Sequence, residues 1–406
     1  MTKIEIRNLY KIFGADPQQA LIQLREGKNK QDIFKQTGNA IGLDNISLDV
    51  MEGEILVIMG LSGSGKSTLI RCINRLFEPT TGTVTINGQN ITTLNEESLR
   101  LFRRDKFGMV FQQFALLPHR TVLGNVEFGL EIQRLQSVAR KEKSRHALQL
   151  VGLKGWEDAY PSQLSGGMQQ RVGLARALAV EPEILLMDEA FSALDPLIRR
   201  EMQDELLALQ KQMRKTILFV SHDLDEAVKI GDRIVLMKDG AIVQIGTPEE
   251  ILTSPANSYV EQFVGDVNIA KVLTAGSILT PANPTVTPDE DISAVLQKMD
   301  ELDYSSILVV NTQGKLQGRV QRHDLEQAQD KSGITLNTMM QTDFPHVTPQ
   351  TSMTEMYKLF SAWPDALPVI DSRQHLLGIV RKTNIMQALA RETENHDAEN
   401  TQITVR

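Results

Sequence analysis

With a single cysteine, Cys72, the chain cannot close an internal disulfide. The cross-linked scaffolds of small secreted domains are thereby excluded, and a reducing cytosol is the natural setting. Cys72 falls in a helix-like stretch, where a small buried apolar residue is the ordinary role. Positive charge is also short: 43 Lys and Arg stand against 51 Asp and Glu, a net charge of −8. Nucleic acid is not expected as a partner, because counterion release needs a clear excess of Lys and Arg on the binding face. No window approaches the ~18 apolar residues that a membrane-spanning helix requires, and Met1 to Gly14 lacks the basic and apolar regions of a secretory signal. Membrane association is expected only through a partner. What is present, 41% hydrophobic and 23% charged residues over 406 positions, reads as a soluble globular chain of two or three domains.

The strongest local pattern is Gly60-Leu61-Ser62-Gly63-Ser64-Gly65-Lys66-Ser67-Thr68, a full G-x-x-x-x-G-K-[ST] phosphate loop. Apolar Ile55 to Met59 precedes it and helix-like Leu69 to Leu76 follows, which spells strand, loop, helix. The glycines let successive N–H groups turn inward around an anion, and the opening helix adds its positive end. On this pattern Lys66 reaches the β- and γ-phosphates and Ser67 ligates Mg²⁺. Downstream, the apolar strand Ile184 to Met187 delivers Asp188 and Glu189 to its carboxyl end, where open α/β sheets bind ligands. Asp188 is expected to hold Mg²⁺, directly or through water, and Glu189 to polarise the attacking water. A helix start that favours negative charge is the plainer reading of such a pair; the phosphate loop upstream disfavours it.

Along the chain, Ile4 to Phe13 reads as a strand, interrupted by two short helices that begin at Asp16-Pro17 and at Asn29 and end at Gly27 and at Thr37-Gly38. The strand pattern resumes at Ile46 to Val50. Gly82 to Gly88 reads as a strand entering a tight turn, and Ser137 to Leu150 as an amphipathic helix. Strands at Ile184, Thr216 and Arg233 alternate with helices, which means an α/β core with a parallel sheet. Beyond Gly265 the chain repeats itself: Leu308-Val309-Val310 with Pro368-Val369-Ile370, and Gly318-Arg319-Val320 with Gly378-Ile379-Val380, sixty residues apart. Each copy reads as a helix, two strands and another helix, a pair sharing one core. The polar stretch after Arg391 is expected to fray.

Leu164-Ser165-Gly166-Gly167-Met168-Gln169-Gln170-Arg171 places a second set of glycine N–H groups and a serine hydroxyl at the start of a helix. Here the sequence resembles the ATP-binding cassette (ABC) ATPases, whose signature motif is LSGGQ; Met168 replaces the Gln and leaves the glycines intact. That resemblance implies a P-loop NTPase core with an antiparallel β subdomain and a helical subdomain (about 115–180). It also implies further roles: Gln112 touching Mg²⁺ and the attacking water where transmembrane partners dock, Asp195 in a loop crossing a dimer seam, His222 contacting the γ-phosphate, and Phe13 stacking on adenine. In this family Ser165, Gly166 and Gly167 cap the ATP held by the other protomer, so a head-to-tail homodimer with two composite sites is implied. Catalysis then falls to Glu189, His222, Gln112 and Lys66; ATP is bound by Phe13, Gly60, Ser62, Gly63, Ser64, Gly65, Lys66, Ser67, Thr68, Asp188, Ser165, Gly166, Gly167 and Asp195; Ser67, Gln112 and Asp188 hold Mg²⁺.

More closely, Asn8 to Gly14, the helical insertion (about 15–38), Ile58 to Gly65, Leu186 to Arg199 and the C-terminal repeat look like the ATPase subunit of glycine betaine or proline betaine importers. That resemblance implies bacterial osmoprotection, a peripheral position on the cytoplasmic face of the membrane, a transmembrane permease and an extracytoplasmic substrate-binding protein or domain. The transported compound itself would not touch this subunit. Other solutes (choline, carnitine, an amino acid) remain as alternatives, as do a stand-alone cytosolic ABC ATPase and a nucleotide-sensing scaffold. The implied organisation is an ATPase domain over 1–266, a linker over 267–279, repeats over 280–333 and 334–392 and a tail over 393–406. The repeats resemble an α+β pair of tandem CBS domains, modules that often take adenine nucleotides. Gly318 to Asp324 keeps the Asp of the family's G-h-h-[ST]-x-x-D pattern without the hydroxyl, and Gly378 to Asn384 keeps neither. Arg319, Arg322, Arg381 and Lys382 suit phosphates of an adenine nucleotide or a cyclic dinucleotide; a purely structural dimerisation role is the competing reading. Basic clusters at Arg140 to Arg145 and Lys211 to Lys215 fit either attraction to anionic lipid or an ordinary solvated face.

Overall fold

The computed structural model describes residues 1–112, 114–265, 272–282, 284–301, 304–329, 334–363 and 365–388. The chain divides into two compact units, Met1–Val267 and Asn268–Arg406. The polar tail expected over 393–406 and the first part of the expected linker lie outside the described residues.

The first unit opens with strand β1 (Thr2–Phe13), then helices α1 (Pro17–Arg25) and α2 (Lys30–Thr37), then β2 (Ala40–Met51). Asp16 and Asn29 cap the two helices by accepting N–H bonds from Gln19 and Gln31, Pro17 pre-sets the first turn, and Gly38 ends α2 with φ 70°. Ala20, Leu21 and Ile33 bury against Tyr10 and Ile12 of β1, so the inserted pair shares a small core with the strand it interrupts. Next come β3 (Ile55–Met59), α3 (Lys66–Ile73), β4 (Thr81–Ile86), β5 (Gln89–Asn90), α4 (Glu96–Lys106) and β6 (Phe107–Phe111). Helix α3 starts and ends three residues earlier than the apolar pattern suggests. Gly65, the last glycine of the phosphate loop, already accepts the first helical bond from the Leu69 N–H, and Arg75 at φ 54° turns the chain away.

The unit continues with α5 (Val122–Ile132), α6 (Ser137–Leu150), α7 (Gly166–Ala179), β7 (Ile184–Asp188), α8 (Pro196–Met213), β8 (Thr216–Val220), α9 (Leu224–Ile230), β9 (Arg233–Lys238), β10 (Ala241–Gly246), α10 (Pro248–Thr253) and α11 (Ser258–Val264). One sheet, in the order β2-β1-β4-β5, is antiparallel; the other, β10-β9-β3-β8-β7-β6, is parallel apart from its β10 edge. Every residue of β3, β7 and β8 is buried, as strands covered on both faces must be. Ile4, Ile6 and Val84 of the antiparallel sheet meet Leu56, Leu186 and Leu218 of the parallel one around Leu69, Ile70 and Ile73 of α3. Glu183, just before β7, accepts bonds from Lys3, Lys106 and Asn87, and the two lysines hold its carboxyl at about 2. Helix α6 has the bounds its sequence pattern gives. Arg140 and Lys143 of its basic cluster are paired within the unit, with Glu127 and Glu181.

The second unit holds α12 (Ala275–Ile278), β11 (Thr285–Val286), α13 (Ile292–Glu301), β12 (Ser306–Val310), β13 (Leu316–Gln321), α14 (Arg322–Ala328), α15 (Leu336–Met339), α16 (Met353–Ala362), β14 (Leu367–Ile370) and β15 (Leu376–Val380), with a helical segment over 382–388. The sheets are β11-β12-β13 and β14-β15. Leu273 and Ala275, inside the segment the sequence assigns to a linker, pack in the core of the second repeat with Val347, Met356 and Val369. The Ala275 N–H donates to the Thr351 carbonyl at 2.9 Å, and Thr280 pairs with Ile379. Reciprocally, Leu336 packs in the core of the first repeat, and Gln341 pairs with Arg319. Each repeat lends its leading segment to the other, which makes the pair a single folding unit.

Candidate active site

Four neighbouring parallel strands set the site. Ile58 of β3 lies opposite Val220 of β8, Val220 opposite Asp188 of β7, and Asp188 opposite Phe111 of β6. Because all four run the same way and end on one row, Gly60, His222, Glu189 and Gln112 leave the sheet together along its carboxyl edge.

The phosphate loop leaves β3 through Gly60, whose φ is 142° and where a Cβ would stand 2.2 Å from the Met237 carbonyl. It enters α3 through Gly65 at φ 99°; no residue with a side chain fits either position. Lys66 is buried, and its Nζ donates to the carbonyls of Gly60 at 2.8 Å and Leu61 at 3.1 Å. Burial lowers its pKa, while Glu189 and Asp188 pull the other way. Ser62 and Gly63 are exposed, the Ser64 hydroxyl is buried without a hydrogen-bond partner, and Thr68 is half-buried on the first turn of α3. The Ser67 hydroxyl donates to Asp188 Oδ1 at 2.9 Å, which joins the two expected metal-binding groups directly.

Glu189 follows β7 with φ 49°, a conformation that turns its carboxylate out of the strand direction. Its Oε2 accepts from Gln112 Nε2 at 3.2 Å and lies 3.7 Å from His222 Nδ1. Two residues that follow β6 and β8 thus converge on one carboxylate oxygen of the residue that follows β7.

Several residues that the sequence reading left unassigned hold these groups in place. Arg199 of α8 bridges two loops: it donates to the carbonyls of Ser192 and Leu194 and pairs with Asp223 at 3.3 Å. Behind His222, the buried Glu226 carboxyl accepts from Ser221 Oγ at 2.5 Å and from Gln203 Nε2 at 3.0 Å, and burial raises its pKa. Arg176 of α7 donates to the carbonyls of Phe114 and Ala115, so the signature helix grips the loop that follows Gln112. Asp223 three residues before Glu226 is a helix-cap spacing that shows in the sequence; the Arg199 and Arg176 ties leave no such local mark.

The remaining site residues lie elsewhere on the surface. Ser165 caps α7 by accepting from the Met168 N–H, Ser165 and Gly166 are exposed, and Gly167 packs against Ile198. Among the described residues no hydrogen bond or ion pair joins Ser165, Gly166 or Gly167 to the phosphate loop. Asp195 is exposed and caps α8. Phe13 presents 36% of its surface, with its ring edge-on to Phe77 at 5.4 Å. In the second unit the four cations expected to serve phosphates divide. Arg319 and Arg381 line one cleft of about 150 Å³ with Tyr304 and Asp365. Lys382 lines another beside Phe360, and Arg322 is held by Asp300 and the carbonyls of Met299 and Tyr304. Arg319 is buried, paired with Asp365 at 2.7 Å and stacked on Trp363 at 4.1 Å.

Residues 43–192 match the family model described as ABC transporter, and residues 275–331 and 336–391 the model described as CBS domain. The chain is 52% identical over 399 residues to a glycine betaine transport ATP-binding protein of Bacillus subtilis (strain 168), covering 98% of this chain and 95% of that one. It is 48% identical over 400 residues to a glycine betaine/proline betaine transport system ATP-binding protein of Escherichia coli (strain K12), covering 97% and 99%. Among solved structures, a bacterial ABC transporter cassette in dimeric form is similar with a TM-score of 0.51 and 34% identity, covering 60% of this chain and 98% of that one. The same cassette in a dimeric post-hydrolysis state with ADP and Pi is similar at the same level.

Proposed function

The chain belongs to the ATP-binding subunits of ABC transporters typified by the glycine betaine systems, and from that premise we propose that it is the motor of an importer for glycine betaine or a related quaternary ammonium compound. The subunit binds and hydrolyses ATP. The observation that carries the mechanism is the convergence of Gln112, Glu189 and His222 beside a phosphate loop with a buried, carbonyl-bound lysine. Lys66 exchanges its carbonyl partners for phosphate oxygens, and the loop N–H groups cradle the same charge. Glu189 orients the attacking water and takes its proton, with Gln112 and His222 fixing the carboxylate. Phe13, partly exposed, is assigned the stacking contact with adenine, where the Lys11 ammonium now lies over its ring at 4.9 Å.

Ser67 and Asp188 present two hard oxygen donors within one hydrogen bond of each other, a set that suits Mg²⁺. When bound, the ion neutralises charge on the phosphate oxygens. Among the described residues, the exposed Ser165 and Gly166 at the start of α7 have no phosphate-loop partner in their own chain. That supports a head-to-tail homodimer in which each copy closes the other's site, as does the dimeric form of the similar cassette. No helix among the described residues is long and apolar enough to cross a membrane. The likeness to ATP-binding proteins of transport systems supports a permease partner with an extracytoplasmic binding protein or domain, and this chain as its peripheral subunit on the cytoplasmic face.

In the second unit, Arg381 beside the Tyr304 ring at 5.9 Å supports an adenine nucleotide or cyclic dinucleotide in the cleft. The test is reconstitution of the full chain with its permease in vesicles. ATP hydrolysis stimulated by glycine betaine on the binding-protein side is the expected result. Stimulation by choline, carnitine or an amino acid alone would replace the solute. Nucleotides that shift the ATPase of wild type but not of Arg381→Ala would support the sensor; no effect from any nucleotide leaves the pair as a dimerisation module.

A further inference from the structure

The inserted helix pair has no part in the chemistry described so far, yet it touches the structure that holds the phosphate loop. Lys30, the first residue of α2, donates from Nζ to the Asp239 carbonyl at 2.5 Å and pairs with Asp44 of β2 at 2.7 Å. Asp239 and Gly240 form the turn between β9 and β10, with φ of 49° and 79°. That turn is the back wall of the loop. The Gly240 N–H donates to the Ser64 carbonyl at 3.0 Å, and the Asp44 N–H donates to the Gly240 carbonyl at 2.8 Å. The packing there is close enough to require glycine: a Cβ on Gly65 would stand 2.7 Å from the Gly42 carbonyl, and one on Gly240 2.9 Å from it. Lys30 thus closes a ring that runs through Asp44, Gly240 and Asp239, and the phosphate loop is tied to that ring where the Gly240 N–H meets the Ser64 carbonyl. From the other end of the unit, Tyr259 of α11 packs under Lys238, which precedes the same turn. Its hydroxyl is buried against the Leu61 N–H without completing a hydrogen bond.

We propose that Lys30 is a positioning residue for ATP binding, and that the inserted helices serve to hold the β9–β10 turn against Ser64 and Gly65. The inference rests on the phosphate loop holding ATP. A backbone cradle binds well when its N–H groups are already aimed, so loosening the turn weakens nucleotide binding. Gln112, Glu189 and His222 are carried by β6, β7 and β8, which Lys30 does not touch, so turnover at saturating ATP is left alone.

The test uses the full chain with its permease in vesicles, with ATP hydrolysis followed as a function of ATP concentration. Lys30→Met is expected to raise KM for ATP by about fivefold with kcat within about twofold of wild type, and Lys30→Arg to restore most of the loss. Asp44→Asn weakens the Lys30–Asp44 pair and leaves the Lys30–Asp239 bond, so it is expected to raise KM by a smaller factor, about twofold, and it carries the test alone if Lys30→Met folds poorly. The double variant is expected to be no worse than Lys30→Met alone, since that substitution already removes the pair with Asp44. An unchanged KM in a folded variant, a fall in kcat without a change in KM, or effects that multiply in the double variant would overturn the proposal. A wild-type protein that neither binds nor hydrolyses ATP would instead remove the reading on which it stands.

Discussion

The two clusters of charge in this molecule are built in opposite ways. In the ATPase unit, Lys66 is buried with only carbonyl oxygens within hydrogen-bond distance, and Glu189 has an amide and a histidine as neighbours. In the second unit, Arg319 is buried against Asp365, and Arg322 is tied to Asp300. A cation satisfied by neutral dipoles keeps its charge for an incoming anion, whereas one neutralised by a carboxylate has to give up that partner first. The contrast separates a site arranged for a highly charged substrate from one in which Arg381 is the better candidate for a ligand contact.

The largest effect should come from Glu189→Gln. Removing the group proposed to take the proton is expected to lower ATP hydrolysis about 10²–10³-fold while leaving ATP bound and the closed dimer trapped, a combination that single-turnover assays and chromatography with ATP would show. Near-normal turnover would end the distinction between the two clusters. Lys66→Ala should come next: a lost charge-assisted hydrogen bond of about 1.5–3 kcal/mol means roughly ten- to a hundredfold weaker ATP binding by titration calorimetry. Asp365→Asn tests the other side. It is expected to cost the second unit about 1 kcal/mol in unfolding, discounted because Asp365 is 45% exposed, without change in the ATP affinity of the first.

The smallest effect belongs to Glu183, a carboxylate paired with lysines at the opposite end of β7 from Glu189. Hydrogen bonds from Lys106 and then Lys3 hold it at about 2 against an ordinary 4.5. Its contribution is therefore complete above 4.5 and fades as pH falls towards 2. Glu183→Gln should be less stable than wild type by about 0.5–1 kcal/mol at pH 7 in urea, and the two curves should draw together below pH 4.5 and meet only as the pH reaches about 2.

Much of this was legible before any coordinates. Gly60 to Thr68 and Ile184 to Glu189 are contiguous, so strand, turn and helix write their chemistry into one short run of residues. Asp16-Pro17 and Asn29 set the inserted helices by local capping. What stayed hidden depends on distance in the chain. Arg199 reaches back to Ser192 and forward to Asp223, Arg319 finds Asp365, and Lys30 finds Asp239. An arginine on a helix reads as solvated until the fold supplies its partner. The segment 273–279 misled for a related reason. It falls within the linker expected over 267–279, and only the crossing of the two repeats gives Leu273 and Ala275 a core to enter.

Cys72 lies wholly inside α3, and burial pushes its thiol up to about 12. A maleimide in neutral buffer therefore finds no native thiolate to attack. Spin labels or fluorophores placed by substitution at the start of α7 and beside the phosphate loop would report distances across a pair of subunits with no background from the unmodified chain.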